Sequence, residues 1–411
     1  MKRNGKGVIP SPLYSGERAR VRGGSAILLL CGGRKHSLSK KPRLRIALVA
    51  PLVSPIAPPF LGGAQVTVAD LAYGLAERGH AVTVYAATGS QLSAPNLRLI
   101  EIDPGDAALN TANFGSQEKG INGAPATTAF FNQANLFLNT FLDIAQHQAD
   151  FDIVHCHAFD WPSYAFAALC PVLTVHSVHL PAVDSYINNL LATAARKKGS
   201  SNCVTVSHAC AATYTPWFTF DRVVYSGIKI EEIAFGPTAE DFVVFVGRMS
   251  PEKGADLAIE IARGAGKKLI LAGGIYDQDF FDTKIAPQLA SDPNLEYRGR
   301  LDRSELFKLI NRAEAAIFPP RWDEAFGLAL VEAQAGGTPV VTFRRGAAPE
   351  IVVDGETGFL VEPDNVAAAI DALSKIGQIE RAKCRQRIEQ NFSINNMLDN
   401  YEAYYYSKLE I

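Results

Sequence analysis

Arg248 and Lys253 stand close together in the segment GRMSPEKG, residues 247–254. A planar guanidinium and a compact ammonium placed where a helix begins, beside that helix's free amides, form a seat for a diphosphate. Glu324 and Glu332 make a second pair, eight positions apart. If a helix opens just after Glu324, that spacing is a little over two turns, and both carboxylates share one sector of the helical wheel. Glu332 lies in the small, apolar run GLALVEAQAGG. An unpaired carboxylate would be costly to bury there, so it requires a hydrogen-bonding partner. Helix capping explains the position of Glu324 equally well. All eight histidines precede residue 209. His155 and His157 alternate onto one face of a predicted strand, and His176 and His179 follow another. No carboxylate or thiolate framework accompanies them, so no metal site is expected. Each is explained singly as a satisfied structural histidine, and His155, deeper in its strand, best of all. Gly62 and Gly63, in PFLGGAQ, either admit a ligand close to the backbone or simply turn the chain.

The elements that must carry these residues follow from periodicity. RIALVA (45–50), AVTVYAA (81–87), NLRLIEI (96–102), DIVHCH (152–157), VLTVH (172–176), NCVTVS (202–207) and RVVYSG (222–227) read as strands. Helical spacing runs over 64–78 and 127–147. Near-continuous apolar strands separated by helices predict a parallel sheet covered on both faces. The pattern then restarts with DFVVFVG (241–247), KKLILAG (267–273), NLEYRG (294–299), AAIFPP (315–320) and TPVVTF (338–343). The predicted fold class is α/β, with two doubly wound Rossmann-like parallel-sheet domains. The first is expected over 44–229 and the second over 237–391, with a closing helix in 392–411. Residues 1–43 are expected to be a disordered basic tail or a stretch ahead of the true start. In such sheets ligands bind at the carboxyl ends of strands, and the candidate loops lie there.

Of the 411 residues, 47% are apolar and 20% charged, as in soluble globular proteins. Residues 1–43 carry eleven Lys or Arg against one acid, Glu17, so the rest of the chain is net −12 although the whole is −2. An acidic body argues against nucleic-acid binding. The six cysteines form no C-x-x-C pair, and reduced thiols in a cytoplasmic protein are expected. The early apolar run Ala26–Cys31 is too short to span a bilayer or to serve as a secretory core.

Residues 247–254 and 324–332 resemble the two signature blocks of glycosyltransferase family 4, the retaining, GT-B-fold nucleotide-sugar enzymes. The Glu-x7-Glu pattern falls on Glu324 and Glu332, with Phe326-Gly327-Leu328 inside it. GTPVV (337–341), APEIV with Glu350 and DGETGFLV (354–361) match in order downstream. Upstream, Gly62-Gly63, Arg78–His80, the DIVHCH strand, His176 and Ser207 agree, while SGIK (226–229) departs from the family's usual segment. The resemblance implies that Arg248 and Lys253 bind the nucleotide diphosphate and stabilise its charge as it leaves. It places Glu324 and the amides of Phe326, Gly327 and Leu328 on the donor sugar, and Glu332 on the ribose. Gly273-Gly274 and Gly299-Arg300-Leu301 would read the base, mainly by backbone. Gly63 and His157 would face the reacting centre from the acceptor side. The terminal helix would cross back onto the first domain.

The expected activity is therefore retaining, metal-independent transfer of a hexose from a UDP- or GDP-sugar to a hydroxyl acceptor, with no cofactor beyond the donor itself. A same-face attack, in which the departing phosphate oxygen takes the acceptor proton, is the preferred account. A covalent carboxylate intermediate is the alternative. A catalytically silent nucleotide-sugar-binding protein and a GT-B-type sugar-nucleotide epimerase are the other readings. Intact Arg248, Lys253, Glu324 and Glu332 favour the transferase. The acceptor is a glycan, a glycolipid or a small molecule such as a pterin, and a lipid acceptor would bring peripheral membrane association. Phe130, Phe131, Phe137, Phe159, Trp161 and Tyr164 read as core or as a stacking platform for it.

Overall fold

In this computed structural model, residues 42–58, 60, 62–103 and 126–411 are described. The expected basic tail lies outside them except for Pro42 and Arg43. The apolar runs form the strands β1 (Arg45–Val49), β2 (Ala81–Ala87), β3 (Leu97–Ile102), β4 (Ile153–Cys156), β5 (Thr174–Val178), β6 (Cys203–Thr205) and β7 (Arg222–Val223). These build one parallel sheet in the order β3-β2-β1-β4-β5-β6-β7. β8 (Val243–Val246), β9 (Leu269–Ala272), β10 (Leu295–Tyr297), β11 (Ala315–Phe318), β12 (Val340–Phe343) and β13 (Gly358–Val361) build a second, in the order β10-β9-β8-β11-β12-β13. β4, β5 and β11 are buried along their whole length, as strands covered by helices on both faces must be.

The two sheets reverse their strand order between β1 and β4, and between β8 and β11. A crevice opens outside the carboxyl ends at each such reversal. The loops leaving β1 and β4 carry Gly62-Gly63 and His157, and those leaving β8 and β11 carry 247–254 and 319–327.

Three expectations shift. β5 is offset by two residues from its predicted strand, starting at Thr174 and running on through Ser177 and Val178, which pair in register with β6. β7 shrinks to two residues at the sheet edge. β13 was not expected as a strand at all. Its glycine allows close pairing, since a Cβ at Gly358 would lie 2.3 Å from the Val340 carbonyl oxygen.

The last helix, Ile394–Leu409, is capped by Ser393, which accepts from the Asn396 amide. It buries Met397, Leu398, Tyr401, Tyr404 and Tyr405 in the same core as Leu71, Leu75 and Val82 of the first sheet's layer. The resemblance-based expectation that it crosses back onto the first domain holds. Arg78 pairs with Asp399 at 2.7 Å and Glu402 at 2.9 Å. Gly74, in the helix Gly63–Glu77, makes the close approach possible: a Cβ there would sit 2.5 Å from Leu398 Cδ1. Gly74→Val is expected to destabilise the protein by about 1–3 kcal/mol through this overpacking. Chemical denaturation monitored by fluorescence checks it, and a midpoint equal to wild type would contradict the packing. Among the described residues no helix is long and apolar enough to cross a membrane, and no disulfide joins the five described cysteines.

Candidate active site

The strand β8 ends at Val246, and Gly247 leads into a short turn, Pro251–Lys253, that feeds the helix Ala255–Gly264. Gly254 sits at φ +74°, a conformation that favours glycine, and a Cβ there would collide with the Pro319 carbonyl oxygen. That close approach brings the loop after β8 against the loop after β11. Lys253 Nζ consequently bonds the Glu324 carboxylate and lies 5.0 Å above the Trp322 ring. Trp322 Nε1–H donates to the same Glu324 oxygen at 2.9 Å. Arg248 is held otherwise: its guanidinium stacks 4.3 Å from the Tyr276 ring centroid and reaches Glu252 at 3.2 Å.

Glu324 does not cap the following helix. Gly327, at φ +97°, is the N-cap of Leu328–Ala335, and it offers no side-chain bond to the first-turn amides. No acid occupies that first turn. An uncapped helix start is a ready anion site. Phe326 turns its ring away, packing at 6.1 Å from Tyr225 and 5.9 Å from Phe392. Leu328 meets the first domain: a Cβ on Gly63 would lie 2.9 Å from Leu328 Cδ1. The glycine loop of one sheet thus abuts the helix start of the other. Arg300, beside Leu301, adds a bond from its guanidinium to the Phe60 carbonyl at 2.6 Å.

Gly273 is engaged within its own sheet. Its amide donates to the Gly299 carbonyl at 2.8 Å, and its carbonyl accepts from the Tyr297 hydroxyl at 2.8 Å. Leu301 packs partly buried against the core next to it.

Glu332 is ion-paired rather than hydrogen-bonded, its carboxylate lying 3.8 Å from the Arg303 guanidinium. Arg303 also faces Glu232 at 3.9 Å, and Asp70 pairs with Lys229 at 3.4 Å from the first domain's side. Burial raises the Glu332 carboxyl to about 7; Arg303 pulls it down and Asp70 pushes it up. Burial likewise raises Asp70, against the pull of Arg303 and Lys229. A cavity of about 360 Å³ opens beside Arg303, between Glu232 and Phe307. Arg303 was missed in the sequence; the only signal for it was the demand that buried Glu332 be paired.

The histidines gather at the carboxyl ends of β4 and β5. His155 is satisfied twice, by the Tyr405 hydroxyl at 2.6 Å and Ser177 Oγ at 2.8 Å. It is the structural histidine its depth suggested. His157 is 1% exposed, its Nδ1 is 3.0 Å from His179 Nε2, and its Nε2 is buried without a partner. Burial, then the neighbouring His155, His179 and His176, push its pKa well below the usual histidine value, so the ring is neutral.

The aromatic residues divide. Phe137 and Tyr164 are core, whereas Phe131 and Trp161 stay exposed. Glu350 joins the two halves, accepting from the His208 and Ala209 amides at 2.9 and 2.7 Å and from the Tyr225 hydroxyl at 2.8 Å. Two Asp-x-Asp triplets occur, at Asp150–Asp152 and Asp277–Asp279, and both are used elsewhere. Asp152 pairs with Arg45, and Asp277 caps a short helix by accepting from the Phe280 amide. Among the described residues no group of three or more metal-binding side chains comes together.

Comparison with known proteins agrees with this geometry. A family model described as Glycosyltransferase Family 4 matches residues 61–232, and one described as Glycosyl transferases group 1 matches 229–392. The D-inositol 3-phosphate glycosyltransferase of Mycolicibacterium smegmatis is 27% identical over 371 residues, 81% of this chain and 83% of that one. Sucrose-phosphate synthase from Thermosynechococcus elongatus superposes with a TM-score of 0.74 at 17% identity, covering 90% of this chain and all of the other. Anabaena HepE, solved with UDP and glucose, superposes with a TM-score of 0.65 at 17% identity over 89% of this chain and 100% of that one. Two facing Rossmann-like sheets and matches to both halves place this chain in the GT-B glycosyltransferase family, with a family 4 first half and a group 1 second half.

Proposed function

We propose that this glycosyltransferase is a retaining, metal-independent hexosyltransferase that uses a UDP- or GDP-sugar and a hydroxyl acceptor. The observation that carries the reading is the meeting of Lys253 with Glu324 beside the uncapped start of Leu328–Ala335, against Gly63 of the other sheet. Lys253, Arg248 and the helix amides bind the diphosphate, and Glu324 with the amides of 326–328 holds the sugar. Glu332 takes the ribose, and Gly273 and Leu301 flank the base. The complex of HepE with UDP supports a nucleotide donor of this kind.

In the reaction the bond from the anomeric carbon to the phosphate oxygen breaks, and the acceptor oxygen attacks from the same face. The departing phosphate oxygen takes the acceptor's proton. Fixed cations and a helix dipole meet the charge developing on the leaving group, which supplies the electrostatic stabilisation such a transfer needs. No added cation enters this scheme. The protein would act in the cytoplasm, at the inner membrane face if its acceptor is a lipid.

A donor screen that reads released nucleoside diphosphate, followed by NMR of the product's anomeric configuration, tests the proposal. Donor consumption with a retained anomer is expected, in the presence of a chelator. Binding without turnover would favour the silent binding protein, and conversion of the donor without an acceptor would favour the epimerase.

Glu332 adds a pH prediction. Ribose hydroxyls donate to the ionised carboxylate, so nucleoside diphosphate affinity should fall roughly tenfold from pH 8 to pH 6 as a group titrating at about 7 takes up its proton. Stability should move the other way. A carboxyl raised in the folded state contributes stability at low pH that is lost as pH rises from the ordinary carboxylate range through about 7. The terminal phosphate of the ligand itself titrates near ~6, so Glu332→Gln is the control. Calorimetric titrations should show it losing the component that belongs to the carboxylate, and an unchanged pH profile would contradict the assignment.

A further inference from the structure

His157 and His179 are the first residues beyond the adjacent parallel strands β4 and β5, a placement that sets the two rings side by side. The rings stack with centroids 5.3 Å apart and planes 24° from parallel, and one hydrogen bond joins His157 Nδ1 to His179 Nε2 at 3.0 Å. His155 also packs against His157, with centroids 4.0 Å apart. It cannot serve His157, because both its nitrogens already serve Tyr405 and Ser177. Tyr401 of the terminal helix closes the cluster, its ring 6.5 Å from that of His157. The remaining nitrogen, His157 Nε2, is buried and bonded to nothing.

We propose that His179 is a positioning residue: its Nε2–H donates to His157 Nδ1 and holds His157 in the tautomer whose Nε2–H is free for a sugar hydroxyl or a phosphate oxygen. The inference rests on reading His157 as a group that meets the donor or the acceptor. A bridge between two neutral imidazoles contains one proton, so the direction of donation decides which tautomer His157 adopts. Neutrality follows from the surroundings. Burial lowers both rings, His179 to about 4, and any charge would sit among four clustered histidines.

Ligand chemistry selects the direction. A phosphate oxygen only accepts, whereas a sugar hydroxyl both donates and accepts, so an Nε2–H finds a partner with either. The opposite tautomer would present a bare lone pair that a phosphate cannot satisfy, and a buried unsatisfied acceptor is costly. His179 is only partly buried, so solvent can satisfy its other nitrogen.

The full-length protein tests this in two ways. Long-range nitrogen–proton NMR correlations distinguish the tautomers, with the His157 signals assigned by their loss in His157→Ala. His157 is expected as the Nε2–H form in wild type and in His179→Gln, whose amide N–H replaces the donor. In His179→Leu it should be mixed or reversed. Transfer, measured with the donor identified by nucleotide release, should drop on the order of 10- to 100-fold in His179→Leu, the range in which outer-shell partners of functional histidines act. It should stay within a few-fold of wild type in His179→Gln. An Nδ1–H tautomer in wild type overturns the proposal, as does normal transfer by His179→Leu beside an inactive His157→Ala. Normal transfer by His157→Ala removes the reading of His157 itself.

Discussion

Lys253→Ala is expected to lower kcat/KM for the sugar donor by roughly 10²- to 10³-fold while the protein stays folded, equivalent to about 3–4 kcal/mol of transition-state stabilisation. The ammonium is matched by Glu324 and lies over Trp322. In the proposed reaction its further task arises only when phosphate charge develops on the leaving group, while the neighbouring Arg321 of the β11 loop is already paired with Asp256. Both members of the pair remain partly exposed, so removing the lysine should change stability by less than about 1 kcal/mol. Initial rates of nucleotide release, combined with a melting curve, check both halves of the expectation. Near-native turnover with unaltered nucleotide affinity would overturn the assignment of Lys253.

His157→Ala should reduce sugar transfer by roughly 10²-fold and leave nucleotide affinity within a few-fold of wild type. The diphosphate candidates all belong to the loops of the second sheet, whereas His157 directly follows β4 of the first. Its contribution therefore depends on the two halves meeting around the reacting sugar. The ring is buried, so truncation also leaves a cavity, and a modest loss of melting temperature is expected with it. The separation of transfer from nucleotide binding is the informative readout. A histidine serving only the core would depress stability and both functions in parallel, and calorimetry beside an acceptor-dependent assay tells the two apart.

The loops that carry the site were legible because their signals are short-range. Lys253, Glu324 and Glu332 stand at fixed offsets within short runs just beyond predicted strands, and the structure shows that Gly254 and Gly327 in those runs adopt positive φ. Strand runs such as IALV and VVFV announce burial on both faces without reference to any other part of the chain. The strand at 358–361 escaped notice because it is short and begins with a glycine, whose pairing advantage appears only beside Val340. Reading Glu324 as a helix cap was also reasonable locally. The helix begins three residues later than that role requires, and the carboxylate turns to Lys253 and Trp322.

By itself the sequence determined the two doubly wound halves, the closing helix and the four loops at strand ends, since hydrophobic period, glycine placement and charge spacing are properties of neighbouring residues. Only the tertiary structure decided which side chains meet: Arg303 with Glu332, Gly63 with Leu328, His179 with His157, and Tyr401 and Tyr405 with the histidine cluster. Those pairings join residues far apart in the chain. They arise from how two twisted sheets and a returning helix pack, and the balance of burial against hydrogen bonding that selects them is not written in any one segment.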